Sequence, residues 1–100
     1  MADPGKRAVR WMRPALDGLA GIISYLADKD PNAADRLIAR LRQRAASLAT
    51  RPEQGRPSRL EGVRELVVSG NSYVLFYRIK VTTIEIIRVH HTRQQWPPKV

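Results

Sequence analysis

The chain has 100 residues, of which 43% are hydrophobic, so it has enough apolar side chains for the core of one domain but not of two. It has no cysteine, which excludes disulfides and thiolate metal sites and agrees with a cytoplasmic location. Eighteen Lys and Arg outweigh nine Asp and Glu, for a net charge of +9, and no apolar run has the length of a membrane span. A surface this basic indicates polyanionic partners: nucleic acid, the ribosome or an acidic protein.

The first half of the chain predicts a short strand followed by two helices. Residues 6–12 alternate loosely between apolar and basic side chains, as a strand does. Residues 15–28 and 31–50 carry apolar side chains at helical spacing, and Asp30 with Pro31 is a typical helix start. Because the connection is so short, the two helices are expected to be antiparallel neighbours, forming a helical hairpin over about residues 15–50.

The second half predicts a loop and then a β-meander. Residues 51–62 contain two prolines and two glycines, and the pattern then changes to period two with β-branched side chains. Strands are predicted over residues 64–69, 73–80 and 84–89 of a meander at about 63–90, with an irregular tail over 91–100. The expected fold is α+β: one domain over residues 1–100, with a small, mostly antiparallel sheet packed against the helix pair. The edge at which the first strand joins the sheet stays open.

Three motifs occur in fixed order along the meander. They are the Arg-Glu-Leu run at 64–66, the Tyr-Val-x-x-Tyr-Arg strand at 73–78 and the Arg-Val-x-His ending at 88–91. With the strand–helix–helix order before them, they resemble the RelE/ParE toxin superfamily over about residues 7–97. The resemblance implies a RelE/ParE-like fold and the toxin role in a type II toxin–antitoxin pair of the plasmid-stabilisation kind.

Members of this superfamily share one fold but act on two different targets. RelE-like members are ribosome-dependent endoribonucleases that cut messenger RNA, whereas ParE-like members poison DNA gyrase without a known hydrolytic site. Both kinds are neutralised by an acidic antitoxin in a hetero-oligomer. RelE-like members usually have an arginine after the aromatic residue that opens the strand after the hairpin, and this chain has Val74 there. The resemblance is therefore closer to the ParE-like branch. The alternatives are the nuclease activity and a non-toxic role in antitoxin binding and operon autoregulation.

The candidates for chemistry are arginines and histidines of the meander. Cleavage of RNA needs a base, an acid and cations near the phosphate, and histidine serves either proton role near neutral pH. His90 and His91 are the only histidines, and strand alternation groups His90 with Arg88 and Ile86. The nuclease hypothesis therefore has five candidates: Arg64, Arg78, Arg88, His90 and His91. A strand-end histidine is more often a surface or hydrogen-bonding group than a catalyst, and neither a metal site nor a cofactor is predicted.

Other basic and aromatic side chains are candidates for binding a partner or nucleic acid. Arg36, Arg40 and Arg44 recur every four residues, as on a partner-binding stripe or on the solvated face of an amphipathic helix. The other candidates are Arg56 and Arg59 in the central loop and Arg93 and Trp96 in the tail. Trp96, before two prolines, fits an interface anchor and equally a side chain that packs against the sheet.

Overall fold

The computed structural model describes residues 6–68, 70 and 72–92. Two long helices and five strands make up the described fold, with one 3₁₀ turn at Pro52–Gln54. The elements are β1 (Ala8–Trp11), α1 (Arg13–Lys29), α2 (Pro31–Ser47), β2 (Arg56–Pro57), β3 (Arg64–Val68), β4 (Tyr73–Ile79) and β5 (Thr83–His91). The predicted α+β class is confirmed. Neither described helix has the length and apolar character needed to cross a membrane.

Two features of the sequence delimit the helices. Pro14 lies in the first turn of α1, where its missing N–H donor costs no helical hydrogen bond. Asp30 alone separates α1 from α2, and its side chain accepts a hydrogen bond from the Ala33 amide at 3.2 Å. This N-cap, followed by Pro31, starts α2 immediately and brings the two helices into contact. The predicted helix pair is confirmed.

The sheet has the strand order β1-β5-β4-β3-β2. The predicted meander is confirmed, because β3, β4 and β5 pair antiparallel in sequence. The edge left open by the sequence is occupied by β1, which pairs parallel to β5 with Trp11 opposite Ile86. The other edge is the short strand β2, within a segment that was predicted to be loop only; it pairs with β3 through Arg56 and Pro57.

Both helices cover the same face of the sheet and enclose the core. The largest fully buried side chains are Tyr77, Leu41, Leu48, Leu75, Ile84 and Ile86. Leu41 and Leu48 come from α2 and the turn after it, whereas the others alternate along β4 and β5, so the core lies between helices and sheet. We call this the covered face. The opposite side, on which no described helix packs, is called the open face.

A β-bulge in β5 changes which side chains share a face. Phe76 lies opposite Arg88, but the next residue of β4, Tyr77, lies opposite Ile86, so Ile87 is the extra residue. Ile86 and Val89 consequently both point into the core, although strict alternation would separate them. The predicted grouping of His90 with Ile86 is wrong for this reason. The grouping of His90 with Arg88 is unaffected, because both follow the bulge.

Candidate functional site

The open face carries three of the five residues considered for catalysis. Arg78, Arg88 and His90 lie on it, because they alternate with side chains of the core on β4 and β5. His90 makes an edge-to-face contact with the Phe76 ring at 5.6 Å between centroids. Burial lowers the pKa of His90 below its usual value of 6.5, and the positive charge of Arg88 lowers this pKa further. The neutral imidazole is therefore favoured in the folded chain.

Carboxylates accompany two of the arginines on the open face. Arg56 on β2 binds Glu65 with 2.6 Å between Nε and Oε1. On β4, the Nε atom of Arg78 lies 3.4 Å from Oε1 of Glu85. A cation that is paired with a carboxylate has less of its charge available for a phosphate than an unpaired one. Arg59, in the loop after β2, is exposed beside the same surface.

Arg64 and His91 lie on the covered face. Arg64 has the same parity as Leu66 and Val68 of the core, and its guanidinium donates to the Gly55 carbonyl at 2.6 Å. His91 follows the bulge with the parity of Val89, and its ring contacts Tyr73 at 5.1 Å, edge to face. Arg64 therefore points to the other side of the sheet from Arg78, Arg88 and His90, so these four nuclease candidates do not line one cleft.

Two of the three helix arginines line one groove. Arg36 and Arg40 are exposed and line a small groove between the helix pair and Tyr73, with Leu26 and Leu37 at its floor. Arg44 is only partly exposed and lies outside that groove, one turn further along α2. Two of the three predicted binding arginines thus share a surface. Arg93 and Trp96 lie outside the described residues.

A larger groove runs along α1 beside the end of β5, and the sequence pattern did not reveal it. Its helical wall includes Gly18, Gly21 and Tyr25, and its other wall is formed by Tyr73 and residues 88–91. Tyr25 is 63% exposed, and Leu16 on the same helix is 47% exposed. Gly18 allows the close approach, because a Cβ there would lie 3.1 Å from the Val89 carbonyl oxygen. The only sequence signal was the pair of glycines in an otherwise regular helix.

A buried tyrosine hydroxyl holds the segment between α2 and β3. Tyr77 accepts a hydrogen bond from the Gly55 amide at 2.9 Å and donates one to the Pro52 carbonyl at 2.6 Å. A Cβ at Gly55 would lie 2.6 Å from the Glu65 carbonyl oxygen and 2.7 Å from the Tyr77 hydroxyl, so only glycine fits without a shift. These contacts fix the start of β2 and thereby the position of Arg56.

This architecture is that of small basic toxins, and comparison with known proteins identifies the family. Residues 9–96 match the sequence model of a protein family, the ParE toxin of the type II toxin–antitoxin system parDE. The chain belongs to this family, which confirms the RelE/ParE resemblance and the role of a type II toxin component.

Curated relatives and solved structures agree with this assignment. The chain is 40% identical to toxin Y4kP of Sinorhizobium fredii over 92% of its own length and 95% of the relative's. It is 39% identical to toxin RelE2 of Caulobacter vibrioides over 83% of its own length and 92% of the relative's. A chain of the chromosomal ParDE system of Pseudomonas aeruginosa has the same fold, with a TM-score of 0.80, 24% identity and coverage of 89% and 99%. A chain of the RelBE2 toxin–antitoxin complex of Mycobacterium tuberculosis aligns with a TM-score of 0.57, 25% identity and coverage of 86% and 91%.

Proposed function

We propose that this toxin acts by binding DNA gyrase and blocking it, as expected of the ParE-like branch, rather than by cutting RNA. The observation that supports this proposal is the distribution of the candidate catalytic groups. Arg64 and His91 lie on the covered face, whereas Arg78, Arg88 and His90 lie on the open face. Hydrolytic chemistry needs its base, acid and cations around one reacting phosphate, and these five side chains do not surround one point.

The electrostatics of the open face also favour binding over cleavage. Two of its arginines are paired with Glu65 and Glu85, so less of their charge is available to a phosphate. The lowered pKa of His90 disfavours the imidazolium form that a general acid needs at neutral pH. Inhibition by stoichiometric binding requires none of these groups to react.

Ribosome-dependent cleavage of messenger RNA is the second candidate, and one observation favours it. Arg88 and His90 lie on the same face, two residues apart on β5, so a cation and a proton-transfer group are neighbours. The curated relative named RelE2 carries the name of the nuclease branch. This version assigns the reaction to His90 with Arg88 and Arg78.

The partner expected in the cell is a cognate antitoxin with an acidic segment, forming a toxin–antitoxin hetero-oligomer in the cytoplasm. Two structural neighbours come from a ParDE system and from a RelBE2 toxin–antitoxin complex. The net charge of +9 steers an acidic chain toward the toxin, and the groove along α1, with its exposed Tyr25, offers surface to bury. Association should slow as salt is raised, since the attraction is screened.

The decisive experiment measures gyrase and translation side by side with purified toxin. We expect loss of DNA supercoiling at a toxin-to-gyrase ratio near one, and intact messenger RNA on programmed ribosomes. Full supercoiling at large toxin excess would refute the gyrase proposal. The double variant His90→Gln/His91→Gln is the matched control: unchanged toxicity contradicts the nuclease version, and lost toxicity with normal folding supports it. Normal growth after induction without antitoxin would point instead to a non-toxic family member that acts in autoregulation.

A further inference from the structure

A row of alternating charges crosses the open face from β1 to β4. Arg10 of β1 lies on this face, because its neighbours Val9 and Trp11 pack against the core. The strand register places Arg10 opposite Glu85 of β5, and Glu85 opposite Arg78 of β4. Side chains that are directly opposite on neighbouring strands lie on the same face of the sheet. The row therefore begins and ends with an arginine.

A second row crosses the same face from β5 to β2. Arg88 of β5 lies opposite Phe76 of β4. Phe76 lies opposite Glu65 of β3, and Glu65 lies opposite Arg56 of β2. Phe76 is two residues from Arg78, so the two rows are about 7 Å apart. With about 4.8 Å between strands, the arginine backbones are roughly 10 Å apart in the first row and roughly 14 Å apart in the second. We call Arg10, Arg56, Arg78 and Arg88 the open-face arginines.

The two carboxylates of these rows lie deeper than the arginines beside them. The Glu65 side chain is 19% exposed, against 76% for Arg56. The Glu85 side chain is 19% exposed, against 43% for Arg78. Each carboxylate is joined to the Nε atom of its arginine, and a guanidinium has further N–H donors on its two terminal nitrogens. The other two open-face arginines are exposed and take part in no salt bridge among the described residues. The outermost charge of the open face is therefore positive.

The helical side of the molecule has a more even balance of charge. Exposed aspartates lie on or between the helices and accompany the basic side chains there: Asp17, Asp28, Asp30 and Asp35. On the described strands of the open face, by contrast, both carboxylates are partly buried. A polyanion therefore meets less repulsion on the open face than on the helical side.

The described part of the open face offers no exposed ring to a nucleobase. Phe76 is only 3% exposed, and His90 is half-buried against it. Proteins that hold single strands stack the bases on aromatic side chains. A DNA duplex presents its phosphates outward, and arginines bind phosphates without reading the sequence. The open face thus suits a duplex better than a single strand.

We propose that the open face binds the phosphate backbone of duplex DNA through the open-face arginines. The choice of DNA rests on the proposed function, because gyrase acts on duplex DNA and a toxin held on the enzyme can contact that duplex at the same time. An acidic protein segment also has the right charge, but it gains most where it buries apolar surface. Such surface lies beside α1, where Leu16 and Tyr25 are exposed.

The first measurement is the fluorescence anisotropy of a short labelled duplex of mixed sequence, titrated with the full-length toxin without gyrase. The salt concentration is varied from about 50 to about 200 mM, and each arginine–phosphate contact contributes about 0.9 to the slope of log affinity against log salt. Arg10→Gln/Arg88→Gln should therefore lower the slope by about two, whereas Arg10→Lys/Arg88→Lys keeps both charges and should retain it.

The matched control is Arg36→Gln/Arg40→Gln, which removes the same charge from two exposed positions of α2. It should leave most of the slope unchanged, and urea unfolding checks that all variants fold. Equal losses of slope in the two glutamine variants would overturn the proposal, because net charge rather than the open face would then drive binding. So would the absence of duplex binding at the lowest salt concentration.

Two competitors identify the ligand: a single-stranded RNA of the same length and a polyglutamate peptide of the same charge. We expect the duplex to bind most tightly of the three. Tighter binding of the RNA would overturn the proposal in favour of the nuclease version, and tighter binding of polyglutamate would overturn it in favour of an acidic protein. Because gyrase is absent from these assays, a toxin that blocks supercoiling but binds no duplex refutes only the DNA contact and not the gyrase proposal.

Discussion

The hydroxyl of Tyr77 offers the sharpest test of how the chain between α2 and β3 is held. Tyr77→Phe removes one oxygen from a fully buried ring and leaves the packing of the ring itself unchanged. The variant loses the hydrogen bond from the Gly55 amide and the one to the Pro52 carbonyl. Because Gly55 is buried, its N–H loses its partner without gaining access to water.

The expected cost follows from that unsatisfied donor. Leaving a buried donor unpaired costs about 1–3 kcal/mol, so we expect about 2 kcal/mol less free energy of unfolding. For a chain of this length that loss lowers Tm by roughly 10 °C. Tyr25→Phe is the matched control, because Tyr25 is 63% exposed and its hydroxyl can exchange a protein contact for water. The control should lie within about 0.5 kcal/mol of the parent.

Urea unfolding at neutral pH measures both variants, and amide exchange at Gly55 reports locally on the lost bond. If Tyr77→Phe is as stable as Tyr25→Phe, the reasoning is refuted, because the two hydrogen bonds of the Tyr77 hydroxyl would then contribute nothing to the free energy of unfolding. Alkaline pH gives an independent check. Burial raises the pKa of Tyr77 above its usual value of 10.0, so the stability contributed by the neutral hydroxyl is present below pH 10. It should be lost as the pH rises through the higher native pKa, and Tyr77→Phe should lack this loss.

Three further predictions concern other parts of the molecule. Burial and the charge of Arg88 lower the pKa of His90, so its contribution to stability is present above pH 6.5 and is lost as the pH falls through the native pKa. Urea unfolding from pH 7 to 5 should show a decline in stability that His90→Gln reduces, and an unchanged decline in that variant would contradict the assignment. Asp30→Ala removes the N-cap of α2 and should lower the free energy of unfolding by about 1 kcal/mol. Asp30→Asn keeps a side-chain acceptor and should retain most of the parent's stability in thermal unfolding. Equal losses in the two variants would contradict capping. Leu41→Ala, at a side chain with no exposure, should cost about 2–5 kcal/mol, and a smaller loss would show that the core between α2 and the sheet closes around the cavity.

The local elements of this fold could be predicted from the sequence because they depend on neighbours in the chain. The apolar spacing of residues 31–50, with Asp30 and Pro31 before them, indicated α2, and the structure begins that helix at Pro31. Alternation along residues 73–80 indicated β4. The last strand extends to His91, one residue into the segment expected to be irregular, and residues 93–100 of that segment lie outside the described residues.

The arrangement of side chains around the sheet depended on contacts between distant parts of the chain. A single extra residue, Ile87, reverses the alternation of β5, and nothing in its local pattern marks the bulge. Arg64 lies on the covered face because β3 must bury Leu66 and Val68, whose parity it shares. The sequence named Arg64 as a candidate beside Arg78 and Arg88, and only the strand register shows that it lies on the other face.

Composition and periodicity by themselves determined that this chain is a basic α+β protein, because charge and local spacing are properties of the sequence alone. The toxin superfamily was indicated by the resemblance of the three motifs along the meander. Only the tertiary structure decided that β1 lies beside β5, that the short strand β2 is fixed by the Tyr77 hydroxyl, and that the candidate catalytic groups are divided between two faces. Register, bulges and edge pairing are set by the combined burial of many residues far apart in the chain, and no single segment encodes them.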